Sequence, residues 1–338
     1  MTIKTLGIDL AKNVFQLYGA DADGGCVLQQ RVRRETLLAV VGSLPPCTIG
    51  IEACTGAFFW QRRFERLGHE VKIIAPQYVK PFLKHQKNDR NDAEAICTAL
   101  RQPNMRFVPK KSVEQQDIQT LHRARQRLVN HRTALVSQMR GILLDRGIGF
   151  ATSITRARRM IPEIIADADN DLTELCRETL SSLLAFLHEI DVRIRHFDRR
   201  IDQVFRASEA CQRVARIRGV GPKTATAVVA AVGDGREFQN GRHMAAWLGL
   251  VPRQHSSGDR RILMGISKRG DRHLRTLLVH GARAVVRTAA SKSDGFSAWV
   301  NTLRERRGTN RAIVAVANKN ARVIWALLRR NEEFRPAI

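Results

Sequence analysis

The sequence predicts an α/β domain followed by a mainly helical region. Up to about residue 100, short runs rich in β-branched residues alternate with helical patterns, whereas apolar residues at helical spacing dominate the rest. The chain has 338 residues, of which 43% are hydrophobic, so each part can bury its own core. We therefore expect two folded regions and a helical connector.

Three strands are predicted first, and helices then alternate with further strands. The strands are expected at 5–11, 14–20, 26–33, 48–53 and 71–75, and the helices at 36–44, 58–67 and 89–101. This element order is that of a ribonuclease-H-like mixed sheet with helices on both faces. Other α/β folds begin in the same way.

A long basic helix and a heptad stripe follow the α/β region. The apolar stripe at 118–142 is interrupted by Arg125 and Arg132, and 13 Lys and Arg stand against three acids between Arg101 and Arg159. This imbalance favours contact with phosphates. From Leu183 to Val204, apolar residues alternate spacings of four and three, as in a coiled coil. The stripe fits a dimer seam and an intramolecular helical hairpin equally well.

The last third of the chain opens with a glycine-rich turn. Gly219, Gly221 and Pro222 precede a helix of small residues that starts near Lys223, and its free amides can hold a phosphate. The pattern resembles a helix-hairpin-helix unit, which binds DNA backbones, and a plain helix-turn-helix is the alternative. A dinucleotide site is rejected because no βαβ context with a ribose-binding acid follows.

The composition indicates a polyanionic partner. Lys and Arg number 57 against 32 Asp and Glu, which gives a formal charge of +25. No apolar run approaches the roughly 18 residues of a membrane span, and the N-terminus lacks signal-peptide features, so we expect a cytoplasmic, nucleoid-associated protein without membrane contact. The six cysteines form no Cys-x-x-Cys pair, which favours reduced thiols over a zinc site or disulfides.

Four acidic residues are candidates for a metal site. Asp9 and Glu52 lie in apolar strands, where a carboxylate is disfavoured without a partner, and Asp89 and Asp92 share one helix face. In a ribonuclease-H-like sheet these elements converge at one end, where carboxylates would repel by about 1 to 4 kcal/mol per close pair. Divalent cations would relieve this repulsion. The structural alternatives are pairing of the strand acids with arginine and a helix-dipole role for Asp89.

The chemistry of such a site is phosphoryl transfer. Two Mg²⁺ ions, with Mn²⁺ as the alternative, would stabilise the attacking and leaving oxygens. In a strongly basic chain this predicts an enzyme that cuts or joins nucleic acid.

Motifs along nearly the whole chain resemble the DEDD transposases of the insertion-sequence IS110 family, especially its IS1111 group. The motifs are GIDLAK, IEAC-x-G, NDRNDAEAI, IRGVGPKTA and WLGLVPRQHSSGDRRILMGISKRGDRHLRTLL. The resemblance implies a RuvC-like catalytic domain (1–108), a basic helix with a coiled coil (109–210) and a C-terminal transposase domain (211–330). It also implies metal binding by the four acids.

The resemblance further implies a serine nucleophile and an RNA partner. The serine that precedes glycine in PRQHSSG is Ser257, and the adjacent Ser256 is the alternative. The residues alone do not indicate Ser257, since no Ser-His-Asp arrangement is visible. A serine in the C-terminal domain implies a composite site with the metal-binding domain. Members of the family use an element-encoded guide RNA to choose donor and target DNA, and a dimer or tetramer is expected.

Basic side chains of three segments are expected to bind nucleic acid. They are Arg123, Arg125, Arg127, Arg132, Lys223, Arg253, Arg260, Arg261, Lys268 and Arg269. Two alternatives keep a nucleic-acid partner: a metal-dependent nuclease or junction resolvase without a covalent intermediate, and a noncatalytic binding protein. An actin-like ATPase is a further alternative, but the second phosphate loop and the adenosine site that it requires are not found in the sequence.

Overall fold

The computed structural model describes residues 2–84, 89–258 and 260–335, with the side chains of Asp89 and Arg261 outside the described part. It divides into two compact units, Met1–Lys111 and Ser112–Ile338. The three-part division of the chain, with boundaries after 108 and 210, stays a prediction.

The first unit is built on a six-stranded mixed sheet of order β3-β2-β1-β4-β5-β6. Its strands are β1 (Thr5–Asp9), β2 (Val14–Ala20), β3 (Cys26–Arg33), β4 (Thr48–Glu52), β5 (Glu70–Ile74) and β6 (Phe107–Val108). The first three strands are antiparallel, β1, β4 and β5 are parallel, and β6 pairs antiparallel with β5. The predicted α/β class is confirmed, whereas β6 was not predicted.

Helices cover both faces of this sheet. They are α1 (Leu37–Gly42), α2 (Ala57–Arg66), α3 (Pro76–Val79), followed by a 3-10 turn at Lys80–Phe82, and α4 (Asp89–Leu100). Alternation along β1 sends Leu6 and Ile8 into the core shared with α1 and α2. Gly7, between them, faces α4, because a Cβ there would lie 2.2 Å from the Ala93 carbonyl oxygen.

The second unit is mainly helical, as predicted. Its helices are α5 (Val113–Leu144), α6 (Ile154–Ala166), α7 (Glu174–Ala207), α8 (Glu209–Ala215), α9 (Pro222–Val232), α10 (Gly241–Trp247), α11 (Arg272–Thr288), α12 (Gly295–Arg307) and α13 (Thr309–Arg330), with a 3-10 turn at Ala289–Ser291. Strands β7 (Pro252–Ser257) and β8 (Arg260–Ile266) form an antiparallel hairpin that was not predicted. No helix within the described ranges is long and apolar enough to cross a membrane.

Helices α5 and α7 form an intramolecular hairpin. Ser112 starts α5 with a capping box, in which its hydroxyl accepts from the Gln115 amide at 3.1 Å and the Gln115 side chain accepts from the Ser112 amide at 2.9 Å. Residues of the predicted heptad stripe, such as Leu187 and Ile190, are buried against Met139 and its neighbours. Of the two interpretations of the stripe, the structure therefore shows the hairpin.

The glycine-rich turn joins α8 to α9 as the sequence predicted. Gly219 has a φ of 84°, and Pro222 is the first residue of α9. A Cβ at Gly281 of α11 would lie 1.8 Å from the Gly219 carbonyl oxygen, so the turn lies directly against the α11 backbone. The turn is thereby packed into the core formed by α8 to α13.

Candidate active site

Asp9 and Glu52 end two neighbouring parallel strands. The register of β1 and β4 pairs Ile8 with Ile51, so the following residue on each strand is an acid. Both acids are half-buried. The predicted strands reached past them to Ala11 and Ala53. The observed strands end at the acids themselves, and the two carboxylates therefore lie side by side at the carboxyl edge of the sheet.

Two glycines show which face of the sheet these acids occupy. A Cβ at Gly7 would meet the backbone of Ala93 in α4, and a Cβ at Gly50 would lie 3.1 Å from Ile96 of the same helix. Side chains two residues apart on a strand share a face. Asp9 and Glu52 therefore lie on the α4 side of the sheet.

The direction of α4 places its first turn next to the acids. The Thr5 hydroxyl contacts the Cys97 sulfur at 3.5 Å, whereas Gly7, further along β1, contacts Ala93, earlier in the helix. Continuing two residues along β1 to Asp9 leads to the start of α4, where the half-buried Asp92 lies. The helix therefore runs with its N-terminal end toward the edge that carries Asp9 and Glu52, and the convergence of Asp92 with these two acids stays a prediction.

The electrostatics of this edge are negative. Burial raises the pKa of the Cys54 thiol, and the carboxylates of Asp9 and Glu52 raise it further. Both carboxylates are therefore close enough to Cys54 to disfavour its thiolate. Cys54 follows β4 directly and belongs to the loop that leads into α2.

The donor set fits a hard divalent cation. Asp9, Glu52 and Asp92 offer carboxylate oxygens, which are the ligands that Mg²⁺ and Mn²⁺ prefer. Asp89 begins α4, but its side chain lies outside the described residues. Among the described side chains, no group of three or more His, Cys, Asp or Glu is assembled in a metal-binding cluster. Metal binding by Asp9, Glu52 and Asp92 therefore stays a prediction.

Ser257 lies in the β7–β8 hairpin of the second unit. It is the last residue of β7 and pairs with Arg260 across the turn at Gly258. All of β7 is exposed. Ser256 lies on the opposite face of the ribbon, and its hydroxyl hydrogen-bonds to the Gln254 amide at 2.9 Å. The two candidate serines therefore have different surroundings.

The basic residues predicted to bind nucleic acid fall into two groups. Arg123, Arg127, Arg253, Arg260, Lys268 and Arg269 are exposed, and the side chain of Arg261 lies outside the described residues. Arg125, Arg132 and Lys223 form ion pairs with acids of α7. Lys223, the most exposed of these three, lies 3.0 Å from Asp198.

The expectation for Arg125 and Arg132 is corrected by these contacts. The guanidinium of Arg125 lies 2.6 Å from Asp198 and that of Arg132 lies 3.3 Å from Asp191, with side chains only 18% and 22% exposed. Partial burial would raise the pKa of the Asp198 carboxyl, but the hydrogen bonds from Arg125 and Lys223 outweigh it and lower that pKa. Both arginines interrupt the apolar stripe because they pair with acids of α7.

Comparison of the sequence with known proteins identifies the family. A family model for DEDD transposases of the IS110 type, described as "Transposase", matches residues 6–146, and one described as "Transposase IS116/IS110/IS902 family" matches 211–297. The chain is 47% identical over 333 residues to the "Transposase for insertion sequence element IS1111A" of Coxiella burnetii, covering 98% of this chain and 92% of that protein. It is 46% identical over 338 residues to a "Probable family 20 transposase" of Pseudomonas aeruginosa, covering 99% and 100%.

A more distant relative is named for a different activity. The "Pilin gene-inverting protein" of Moraxella bovis is 23% identical over 352 residues, covering 97% of both chains.

The α/β unit with its edge of carboxylates and the two family matches define a DEDD transposase, an enzyme that acts on DNA. The chain belongs to the IS110 family of insertion-sequence transposases, and close homologues are of the IS1111 and IS110 type. The resemblance read from the sequence is thereby confirmed. A DEDD domain also indicates the use of a divalent metal.

Proposed function

We propose that this transposase cleaves and exchanges DNA strands by metal-dependent phosphoryl transfer, guided by an RNA. The observation that carries the proposal is that Asp9 and Glu52 end neighbouring parallel strands on the sheet face that α4 covers. The strand order β3-β2-β1-β4-β5, with three antiparallel strands followed by parallel ones, supports a ribonuclease-H-like, RuvC-like fold for this unit.

The acids at the sheet edge would hold the metal. Asp9, Glu52 and Asp92, together with Asp89, are the proposed ligands of Mg²⁺, with Mn²⁺ as the alternative and two ions as the expected number. When bound, the ions would stabilise the charge on the attacking and leaving oxygens of a phosphodiester. The residues of the chain fix the carboxylates on rigid strand ends and on a helix that contacts the strand backbone. This rigidity limits the reorganisation needed during the reaction.

Ser257 is the proposed nucleophile. Its hydroxyl oxygen would form a bond to a DNA phosphorus as a phosphorus–oxygen bond of the strand breaks, and the leaving oxygen would take up the proton. Exposure at the end of β7, opposite Arg260, supports this role, because a guanidinium near the phosphate favours the developing charge. The phosphoserine link would preserve the bond energy for rejoining.

Exposed basic residues are the proposed contacts for DNA and guide RNA. Arg123 and Arg127 lie on α5, and Arg253, Arg260, Lys268 and Arg269 lie on or after the β7–β8 hairpin. Lys223 at the start of α9 and Arg261 complete the set, with the helix-hairpin-helix-like turn as a phosphate contact. Synapsis of donor and target DNA requires a dimer or tetramer. The salt dependence of binding is the direct signature of such contacts.

Substitution of the acids tests the metal site. We expect Asp9→Asn, Glu52→Gln and Asp92→Asn each to lower strand exchange by about a hundredfold or more, because metal-assisted stabilisation of charge contributes several kcal/mol. The assay is gel analysis of labelled donor and target DNA with Mg²⁺, with nucleic-acid affinity measured in parallel. Glu35→Gln, an exposed acid in the same unit, is the matched control. Exchange at the wild-type rate in the three variants would refute the metal site.

A covalent adduct tests the nucleophile. Ser257→Ala is expected to bind DNA and RNA normally but form no adduct on a denaturing gel, whereas Ser256→Ala retains both adduct and activity. Peptide mapping of the shifted band identifies the attacking residue, and an adduct on Ser256 would correct it. Strand exchange without an adduct in any variant would instead favour a resolvase-like attack by water or hydroxyl.

RNA guidance has a separate test. The purified chain is expected to retain an RNA from the flank of its own element, identified by sequencing the RNA that copurifies. Strand exchange is expected to require that RNA. Exchange by protein freed of RNA would contradict the guided mechanism and leave the metal site unaffected.

A further inference from the structure

A cleft in the second unit lies apart from the proposed nucleophile and shares Arg123 and Arg127 with the proposed nucleic-acid contacts. It has a volume of about 290 Å³ and lies between α5, α9 and the start of α11. We call it the histidine cleft and define it by the side chains that carry the argument. They are His122, Arg123, Gln126, Arg127 and Asn130 of α5 and His273 of α11.

The inner wall includes two imidazole rings that are uncharged at neutral pH. The ring centroids of His122 and His273 are 5.8 Å apart, and His122 is only 4% exposed. Burial, followed by the neighbouring charges, lowers the pKa of His122 to about 4, and burial also lowers the pKa of His273. Both rings are therefore neutral at neutral pH.

Hydrogen bonds leave polar ring atoms unused in this wall. The Thr226 hydroxyl donates to the Pro222 carbonyl at 2.8 Å, so the 2.9 Å contact to His122 requires Nε2 of that ring to be the donor. Nδ1 of His122 is then an acceptor. Nε2 of His273 is buried without a hydrogen-bond partner among the described residues. A ligand with planar faces and polar edges matches such a wall.

The rim is cationic and carries an amide pair. Arg123 and Arg127 are exposed, four residues apart on α5, and neither forms an ion pair with the described residues. The Gln126 amide donates to the Asn130 carbonyl oxygen at 2.9 Å, which leaves an acceptor on Gln126 and donors on Asn130. Asp271, the acid in the lining, is held as the N-cap of α11 by the Leu274 amide at 3.0 Å.

We propose that the histidine cleft binds one unpaired nucleotide of a nucleic-acid strand, with the phosphate on Arg123 and Arg127 and the base against the two histidine rings. Imidazole rings stack with bases, and side-chain amides pair with base edges. The volume is at the lower end of ligand pockets, which suits a single base. A base within a duplex is stacked and cannot enter, so the nucleotide must be unpaired. The inference rests on the proposed binding of nucleic acid by this chain.

Photo-crosslinking locates the nucleotide directly. The full-length chain is irradiated with single strands of about 12 nucleotides, as DNA and as RNA, that carry iodouracil, and the adducts are mapped by mass spectrometry. We expect crosslinks in the peptides that contain His122 and His273. Crosslinks only to other peptides would overturn the proposal.

Affinity measurements on variants separate this site from a general basic surface. Because stacking and edge contacts contribute about 1 to 3 kcal/mol per base, Asn130→Ala and His273→Ala should weaken single-strand binding by roughly 5-fold to 100-fold and duplex binding by less than about 2-fold. Arg127→Ala should weaken both. Arg195→Ala, an exposed arginine on α7, is the control for charge.

The outcomes distinguish this inference from the proposed function. A loss for DNA alone assigns the nucleotide to a DNA strand, and a loss for RNA alone assigns it to an RNA, and either supports the cleft. If the variants lost equal affinity for single strands and for duplexes, or lost none, the nucleotide site would be refuted. Binding of nucleic acid by the wild-type chain would still support the proposed function. A wild-type chain that binds neither nucleic acid would instead refute the proposed function.

Discussion

Removing the Asp191 carboxylate should open the helical hairpin of the second unit. This side chain is 9% exposed and joins three helices, because it contacts Arg132 of α5 at 3.3 Å and Arg158 of α6 at 2.6 Å from its place on α7. Asp191→Ala would leave the Arg132 guanidinium with neither its carboxylate nor ready access to water, since that side chain is only 22% exposed and its Nε already has no hydrogen-bond partner among the described residues.

The expected magnitude follows from the two arginines. Breaking a buried ion pair costs about 3 to 5 kcal/mol, which applies to Arg132. Arg158 is 42% exposed and can turn into water, so its pair contributes at most about 1 kcal/mol. We therefore expect a loss of about 3 to 6 kcal/mol in the free energy of local opening, which is a faster exchange of roughly a hundredfold to ten-thousandfold.

Hydrogen exchange measured by mass spectrometry on peptides of α5 and α7 is the assay, because it reports each unit separately. Glu189→Ala removes the same charge from an exposed position two residues away and is the control. Equal protection in the two variants would refute the structural role of this network. If charge reversal at Arg132 lowered nucleic-acid affinity without altering hydrogen exchange, the result would support the phosphate contact predicted from the sequence.

Three further outcomes are expected. The pKa of His122 is about 4 in the folded chain against an ordinary 6.5, so the fold favours the neutral ring and its stability falls as the pH drops through this window. The free energy of unfolding of the second unit, measured in urea, should therefore decrease by about 2 kcal/mol from pH ~7 to pH ~5. The variant His122→Gln should not show this decrease. Gly7→Ala should destabilise the first unit by about 2 kcal/mol or more and impair strand exchange, because its Cβ would lie 2.2 Å from backbone of α4, whereas Gly42→Ala, with ordinary contacts, should not. The double variant Arg123→Ala/Arg127→Ala should reduce the slope of log affinity against log salt by about 2, whereas Arg125→Ala should leave it unchanged; equal slopes would place the phosphate contacts elsewhere.

The sequence predicted most of the first unit because its elements carry strong local patterns. The five longer strands and the three longer helices have the expected positions, since alternating or continuous apolar runs fix which face is buried. Strand β6 has only two residues and depends on pairing with β5. The hairpin of β7 and β8 escaped prediction because all of β7 is exposed and polar, so no buried face imposes an apolar pattern.

The candidate site was predictable in its residue types but not in its contacts. Acids within apolar strands identified Asp9 and Glu52, whereas the function of Gly7 depends on which helix lies against it. The sequence contained an indication of the ion pairs. Arg125 and Arg132 are seven residues apart, and Asp191 and Asp198 have the same spacing. Matching these intervals requires knowing that α5 and α7 are antiparallel. The histidine cleft joins residues about 150 positions apart, which no local pattern indicates.

The close contact between the backbones of β1 and α4 at Gly7 protects the position of Asp9 against substitutions elsewhere in the first unit. The distance from β1 to α4 is set by main-chain atoms and not by the size of interdigitating side chains. Substitutions that repack the opposite core, at Phe15 or Phe64 for example, can therefore weaken the first unit without altering the spacing between Asp9 and the start of α4. Two relatives differ from this chain at about half of their positions, and such a spacer allows the hydrophobic core to change while the position of Asp9 relative to α4 is retained.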